Sequence, residues 1–173
     1  MNEVMNNVII RNCVAQDNGT NGATSTIAAG VTVHPRADVH GSAPIFKVTI
    51  ENCTLNSNGS ASATHSGGIV LLGEPEFPIS NVLIQKNTLA YNTLDGIKIV
   101  GNVTGVVIKN NEADRNTGIG FNVLNAVPNL VLGNIAYANT GGNYQGVPAS
   151  VIREATNVNL PDTVGAKNLS ITV

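Results

Sequence analysis

The sequence predicts an all-β fold: a single-stranded parallel β-helix, or solenoid, of about six turns, carrying an asparagine ladder. Three observations predict it. A short apolar triplet recurs at a fixed interval: Val82-Leu83-Ile84, Val106-Val107-Ile108 and Leu130-Val131-Leu132 begin 24 residues apart. Asparagines follow each triplet at nearly the same offset. No window shows the 3.6-residue apolar period of a long amphipathic helix, while Val, Ile, Thr, Asn and Gly are plentiful, as strands and tight turns require.

In chain order, the first copy opens with Val8-Ile9-Ile10 and Asn12, and its last strand reads as Val31-Thr32-Val33. The second has Val48-Thr49-Ile50, Asn52 and Ile69-Val70-Leu71. The third is the clearest: Val82-Leu83-Ile84, a short strand around Leu89, and Gly96-Ile97-Lys98-Ile99. In the fourth, Val106-Val107-Ile108 and a strand around Ala113 precede Gly120-Phe121-Asn122-Val123. Leu130-Val131-Leu132, Asn134, Asn139 and Asn143-Tyr144 make a fifth copy, one residue shorter. Alternation of apolar residues marks each strand as half-buried, and three strands joined by turns fit one turn of a coil. Equivalent residues then stack at ~4.8 Å, the inter-strand spacing. Regular repeats are expected over about residues 6–147 of a single domain spanning 1–173. Residues 148–173, with Pro148, Pro161, Val158-Asn159-Leu160 and Leu169-Ser170-Ile171, are expected to form irregular final turns or a cap.

The stack accounts for the asparagines. Asn12, Asn52, Asn87, Asn111 and Asn134 are assigned to one ladder: Asn tolerates the left-handed conformation of a tight bend, and its amide can donate to one neighbour in a stack and accept from the other. The pattern Val-x-Ile-x-Asn followed by Asn-x-x-x-Gly-Ile resembles the right-handed parallel β-helix repeats of the pectate-lyase-like superfamily, over roughly residues 6–147. The resemblance implies a right-handed coil. It implies no single chemistry, because that superfamily holds polysaccharide lyases and hydrolases, epimerases, phage tailspikes and adhesins.

Composition narrows the partners. Aromatic residues are 3% and charged residues 12% of the 173, the net charge is -2, and no Lys/Arg cluster occurs. A nucleic-acid backbone needs such a cluster, so nucleic acid is not an expected partner. Apolar runs are short and broken, so no membrane span is expected. Met1–Asn6 lacks the basic and apolar regions of a signal peptide. The protein is therefore expected to act inside the cell or virus particle that makes it, or to be secreted, cell-surface or virion-borne as part of a longer chain.

The period fails in two places. The first two copies span 40 and 34 residues, against 24 for the next two, and the excess lies within Asn18–Phe46 and Asn58–Ser80, on either side of the third strand. All three histidines, His34, His40 and His65, fall here, with Arg36, Asp38, Glu74 and Glu76. These seven residues form the candidate ligand site, with a polysaccharide or other glycan as the expected ligand. His and carboxylates suit sugar contact, proton transfer or metal ligation. The plainer reading is that loops carry such residues in any protein. His34 and His40 lack a helical metal spacing and no metal motif fits, calcium included, so no cofactor is expected.

Catalytic patterns implied by the resemblance are mostly missing. Asp95-Gly96-Ile97 matches one fragment of the galacturonan-hydrolase signature, but Lys98 follows, and the Gly-His-Gly and Arg-x-Lys elements are absent. Asp95, Asp114, Lys98 and Arg115 are the remaining candidates for a lyase-like arrangement. Asp95 reads more simply as a turn residue and Asp114-Arg115 as a solvated pair. Tyr91 and Tyr137 fall near equivalent positions and read as stacking filler.

Cys13 and Cys53 directly follow Asn12 and Asn52, so the coil should stack them as a thiol pair. Alignment with Thr88, Glu112 and Ile135 predicts an outward slot. At the beginning, Met1–Asn7 offers no amphipathic capping helix, which points to the C-terminal part of a longer chain, an upstream domain, or self-association at that end. Three functional readings follow, in this order: a non-catalytic structural or carbohydrate-binding module of a surface, fibre or virion-associated protein; a carbohydrate-active enzyme fragment, a lyase, hydrolase or epimerase using the long loops; and an assembly module.

Overall fold

Each repeat winds once around a common axis and contributes one strand to each of three parallel sheets. The computed structural model describes residues 5–19, 26–36, 42–124, 128–147 and 158–160. The first sheet stacks β1 (Met5–Arg11), β4 (Ile45–Glu51), β7 (Ile79–Gln85), β10 (Val103–Lys109) and β13 (Pro128–Leu132). The second stacks β2 (Val14–Gln16), β5 (Thr54–Asn56), β8 (Thr88–Ala90), β11 (Glu112–Asp114), β14 (Ile135–Tyr137) and β16 (Val158–Leu160). The third stacks β3 (Ile27–Val33), β6 (His65–Gly73), β9 (Asp95–Gly101), β12 (Ile119–Val123) and β15 (Gly142–Gln145). This is the all-β parallel β-helix that the period predicts, with three strands per coil.

Register follows the sequence repeat. Val48 pairs with Val82 and Val82 with Val106; Leu55 pairs with Leu89 and Leu89 with Ala113; Ile69 pairs with Ile97 and Ile97 with Phe121. Because side chains alternate along a strand, these residues face inward as continuous columns. Ile50, Ile84, Ile108, Leu55, Leu89, Ile69, Ile97 and Phe121 have no exposed surface. The third-sheet column ends in a stacked pair, Phe121 on Tyr144, with ring centroids 5.1 Å apart and planes at 17°.

Two residues make the corner between the first and second sheets, and they do different work. The first takes the left-handed conformation in every coil: Asn12 (φ 55°), Asn52 (53°), Lys86 (55°), Asn110 (55°) and Gly133 (62°). The second points inward and holds Cys13, Cys53, Asn87, Asn111 and Asn134, one position before the registered Val14, Thr54, Thr88, Glu112 and Ile135. The inner ladder therefore runs through Asn87, Asn111 and Asn134: Asn87 Nδ2 donates to Asn111 Oδ1 at 2.9 Å and Asn111 Nδ2 to Asn134 Oδ1 at 3.0 Å. Asn12 and Asn52 also bond to each other, Asn52 Nδ2 to Asn12 Oδ1 at 2.7 Å, but on the exposed corner column one residue earlier. The cysteine slot is correspondingly the inner one: Cys53 is 2% exposed, not outward.

A second ladder lies at the corner between the second and third sheets. Asn18, Asn58, Asn92, Asn116 and Asn139 follow another left-handed column, Asp17, Ser57, Tyr91, Arg115 and Ala138. Asn92 Nδ2 donates to Asn116 Oδ1 at 2.9 Å, and Asn116 Nδ2 to Asn139 Oδ1 at 2.8 Å. The facing third-sheet column is Gly68, Gly96 and Gly120, where a Cβ would stand 2.8 Å from Asn139 Nδ2 (at Gly120) and 3.1 Å from Asn92 Nδ2 or Asn116 Nδ2 (at Gly68 and Gly96). The glycines leave room for the amides.

The extra residues of the first two coils fall between Gln16 and Ile27, between Val33 and Ile45, between Asn56 and His65, and between Gly73 and Ile79, on both sides of the third sheet. Most of the expected C-terminal turns, including Leu169-Ser170-Ile171, lie outside the described residues; Val158–Leu160 adds a parallel strand to β14.

Candidate functional site

The outward column of the third sheet is Thr32, Val70, Lys98, Asn122 and Gln145, paired coil by coil. An outer sheet face ordinarily meets water. Here Val70 has no exposed surface and Asn122 only 4%, so this face is covered at its centre. Part of the cover is the loop before β6, because Lys98 Nζ donates to Thr64 O at 3.0 Å.

Around Lys98 the polar groups form one network. Lys98 Nζ lies 3.6 Å from Asp95 Oδ2. Asp95 also accepts from Asn122 Nδ2 at 3.0 Å and from the Ile119 backbone N–H at 2.8 Å. His65 feels both the Lys98 ammonium and the His34 ring; burial first, and these charges second, push its imidazole below the ordinary histidine range. His34 Nε2 in turn meets Glu74 Oε1 at 2.7 Å. Two buried side-chain atoms here, His65 Nδ1 and Asn122 Oδ1, have no hydrogen-bond partner among the described residues.

Of the seven residues expected to form the site, the structure joins His34 to Glu74 and brings His65 within electrostatic reach of His34. Arg36 and Glu76 lie exposed on the same two loops, and Asp38 and His40 lie outside the described residues. Lys98, Asp95 and Asn122 complete the network from the regular coils. Asp95 is the first residue of β9 and 4% exposed, not a turn residue. Among the described residues no three His, Cys, Asp or Glu side chains come together as a metal site, and no helix is long and apolar enough to cross a membrane.

Sequence comparison agrees with the coil. A family model described as a right-handed β-helix region matches residues 38–160. The chain belongs to the right-handed β-helix family. Comparisons with curated proteins and with solved structures return no match.

This β-helix carries a second polar cluster, on the outer face of its second sheet. Arg115 lies between two tyrosines from the neighbouring coils, its guanidinium carbon 5.5 Å from the Tyr91 ring centroid and 5.9 Å from that of Tyr137. Its Nη1 contacts Asp114 Oδ2 at 2.6 Å and Tyr91 Oη at 3.0 Å, while Tyr137 Oη donates to Glu112 Oε1 at 2.9 Å. Asp114 is 6% exposed, so only Arg115 of this pair is solvated. Burial raises the Asp114 carboxyl, against the opposing pull of Arg115. Asp114 and Arg115 therefore do not join Asp95 and Lys98, because they stand on a different sheet. The tyrosines flank a cation and do not stack on each other.

Proposed function

We propose that the chain is a non-catalytic β-helix module of a surface, fibre or virion-associated protein, holding carbohydrate at the outer face of its third sheet. The observation that carries this reading is the polar patch where the long loops meet the third sheet: Lys98 with Asp95 and Asn122, the His34–Glu74 pair, and, in His65 and Asn122, buried atoms without a hydrogen-bond partner among the described residues. A sugar hydroxyl both donates and accepts, so it suits an amide oxygen and an imidazole nitrogen once the covering loop at Thr64 moves aside to admit it. The two carboxylates that the described contacts place here are otherwise engaged: Glu74 by His34, and Asp95 by Ile119 N, Asn122 and Lys98. Glycoside hydrolysis uses two carboxyl groups, one to donate a proton and one to attack or activate water, and neither of these is held ready for such a role.

The test is a glycan array of neutral and uronic-acid polymers, with reducing-sugar and unsaturated-product assays run on the retained ligands. The expected result is retention without turnover, with His65→Ala about tenfold weaker, the equivalent of one hydrogen bond. Absence of binding to every glycan overturns the reading. So does turnover that His34→Ala or His65→Ala abolishes, which would establish an enzyme.

A further inference from the structure

The inner corner slot holds asparagine in three consecutive coils and cysteine in the two before them. The substitution keeps much of the bonding pattern. Asn87 Nδ2 reaches back to Ile50 O at 3.0 Å and Asn111 Nδ2 to Ile84 O at 3.0 Å; Cys53 Sγ lies 3.9 Å from the matching carbonyl, Ile10 O. The Cys53 N–H still donates to Asn87 Oδ1 at 3.0 Å. What the cysteines give up is the amide-to-amide rung, for both side chains end in a sulfur.

Both thiols are free, Cys13 exposed and Cys53 buried. They are oriented alike: Cys13 Sγ is 3.2 Å from Arg11 O and Cys53 Sγ is 3.2 Å from Glu51 O, each the carbonyl two residues back. Their flanking strands are in direct parallel register, Val14 on Thr54 and Arg11 on Glu51. Two identically oriented side chains on adjacent coils keep their sulfurs near the coil spacing of ~4.8 Å. The approach of Cys53 Sγ to Ile10 O means that it leans towards the first coil, where Cys13 lies.

That separation selects among sulfur chemistries. A disulfide needs Cβ atoms about 3.8 Å apart, closer than the ~4.8 Å spacing of directly registered residues on neighbouring coils, and both thiols are free. Zinc needs four ligands, and among the described residues no third ligand joins these two. A cation held between two collinear sulfurs, with metal–sulfur bonds on the order of the 2.3 Å found for zinc thiolates, spans about 4.6 Å. We propose that Cys13 and Cys53 form a two-coordinate thiolate site for a soft monovalent cation of the copper(I) class, stapling the first coil to the second. Soft thiolates prefer such ions to hard ones. On binding, two S–H bonds break, two S–metal bonds form, and two protons pass to solvent with no change of oxidation state. Entry is from the Cys13 side.

The experiment uses the reduced full chain under anaerobic conditions, titrated with copper(I) against a chromogenic competing chelator, and separately with silver(I). The expected result is uptake of one equivalent, with a sulfur-to-metal charge-transfer band in the ultraviolet. Cys13→Asn and Cys53→Asn each lose the band and the equivalent. Asparagine is the native occupant of this slot in the later coils, so these variants extend the ladder and keep the β-sheet circular dichroism. As a readout independent of folding of the variants, bound metal should protect Cys13 of the wild type from alkylation. The proposal is overturned if the wild type takes up no metal, if either variant retains the equivalent, or if alkylation proceeds equally with and without the ion. The site is separate from the third-sheet face, so failure of glycan binding leaves these outcomes unchanged.

Discussion

Replacing Asn116 by alanine should be among the most damaging single changes in this protein, although it removes only a small polar side chain. Asn116 has no exposed surface. Its Nδ2 donates to Leu89 O at 3.0 Å and to Asn139 Oδ1 at 2.8 Å, and its Oδ1 accepts from the Asn92 backbone N–H at 3.0 Å and Asn92 Nδ2 at 2.9 Å. Asn92 Nδ2 keeps a second partner, Leu55 O at 2.9 Å, and Asn139 Oδ1 keeps the Asn116 N–H at 3.0 Å. One buried backbone donor, Asn92 N–H, is left without a partner, and Leu89 C=O loses its side-chain donor but stays in the ladder between β8 and β11. An orphaned buried polar group costs about 1–3 kcal/mol. With about 1 kcal/mol more for the other lost hydrogen bonds, the expected destabilisation of Asn116→Ala is about 2–4 kcal/mol, a large part of the 5–15 kcal/mol typical of a folded domain. For a chain of this size that lowers Tm by roughly 10 °C. Urea unfolding followed by circular dichroism measures the global effect. Hydrogen exchange at the Asn92 amide measures the local one, which in a repeat array can be larger. Asn52→Gly is the matched control: Asn52 is an exposed corner residue at φ 53°, where glycine adopts the same conformation freely, so a change within about 0.5 kcal/mol is expected. If Asn116→Ala costs no more than Asn52→Gly, the ladder is decoration and the reasoning fails.

The other expectations concern packing and protonation. Gly96→Ala places a Cβ 2.6 Å from Gly120 O and 3.1 Å from Asn116 Nδ2, and it should cost about 1–3 kcal/mol by overpacking; a neutral urea midpoint would show that the coil yields there. Phe121→Ala removes a fully buried ring stacked on Tyr144 and should cost about 3–5 kcal/mol, read as a loss of Tyr144 near-ultraviolet dichroism together with a lower Tm. His65 titrates below the ordinary histidine range in the fold, so the unfolded chain takes the proton first as pH falls. Stability attributable to His65 is then fully present above about pH 6.5 and is lost as pH drops from there through the folded-state value. The difference in urea midpoint between wild type and His65→Gln should shift in that window and stay flat above it; an identical difference at all pH values would remove the burial argument.

Much of the fold is legible in the chain because a coil makes sequence period and spatial neighbour the same thing. Val82, Val106 and their triplets lie 24 apart and pair directly, so strand existence, order and parallel sense follow from spacing alone. The site is less legible. His34 and His65 are visible as polar residues in the irregular copies, but their neighbours Lys98, Asp95 and Asn122 sit in regular coils, where periodicity labels each as merely outward or turn-forming. What makes that face a site is the loop folded over it through Thr64, and a loop's path has no period to read.

The one-residue slip at the first corner has a physical cause that the sequence does contain. Two successive corner positions both favour asparagine, for different reasons: the first because the chain must pass through the left-handed region, the second because an inward amide must bond to the coils above and below. Asn110-Asn111 satisfies both and hides the distinction. Lys86-Asn87 and Gly133-Asn134 separate them. A lysine side chain cannot be buried unpaired in an apolar stack, and glycine has no amide to offer, so the first position must face solvent and the second must be the ladder. Aligned by that rule, Asn12-Cys13 and Asn52-Cys53 place the asparagines on the corner column and the cysteines in the inner slot, where Cys53 is buried and Cys13, in the first coil, stays exposed. The residue types that break a repeat at a single position thus carry more information about direction than those that conform to it. In this chain they move a stacked thiol pair from an outward slot to the mouth of the inner ladder.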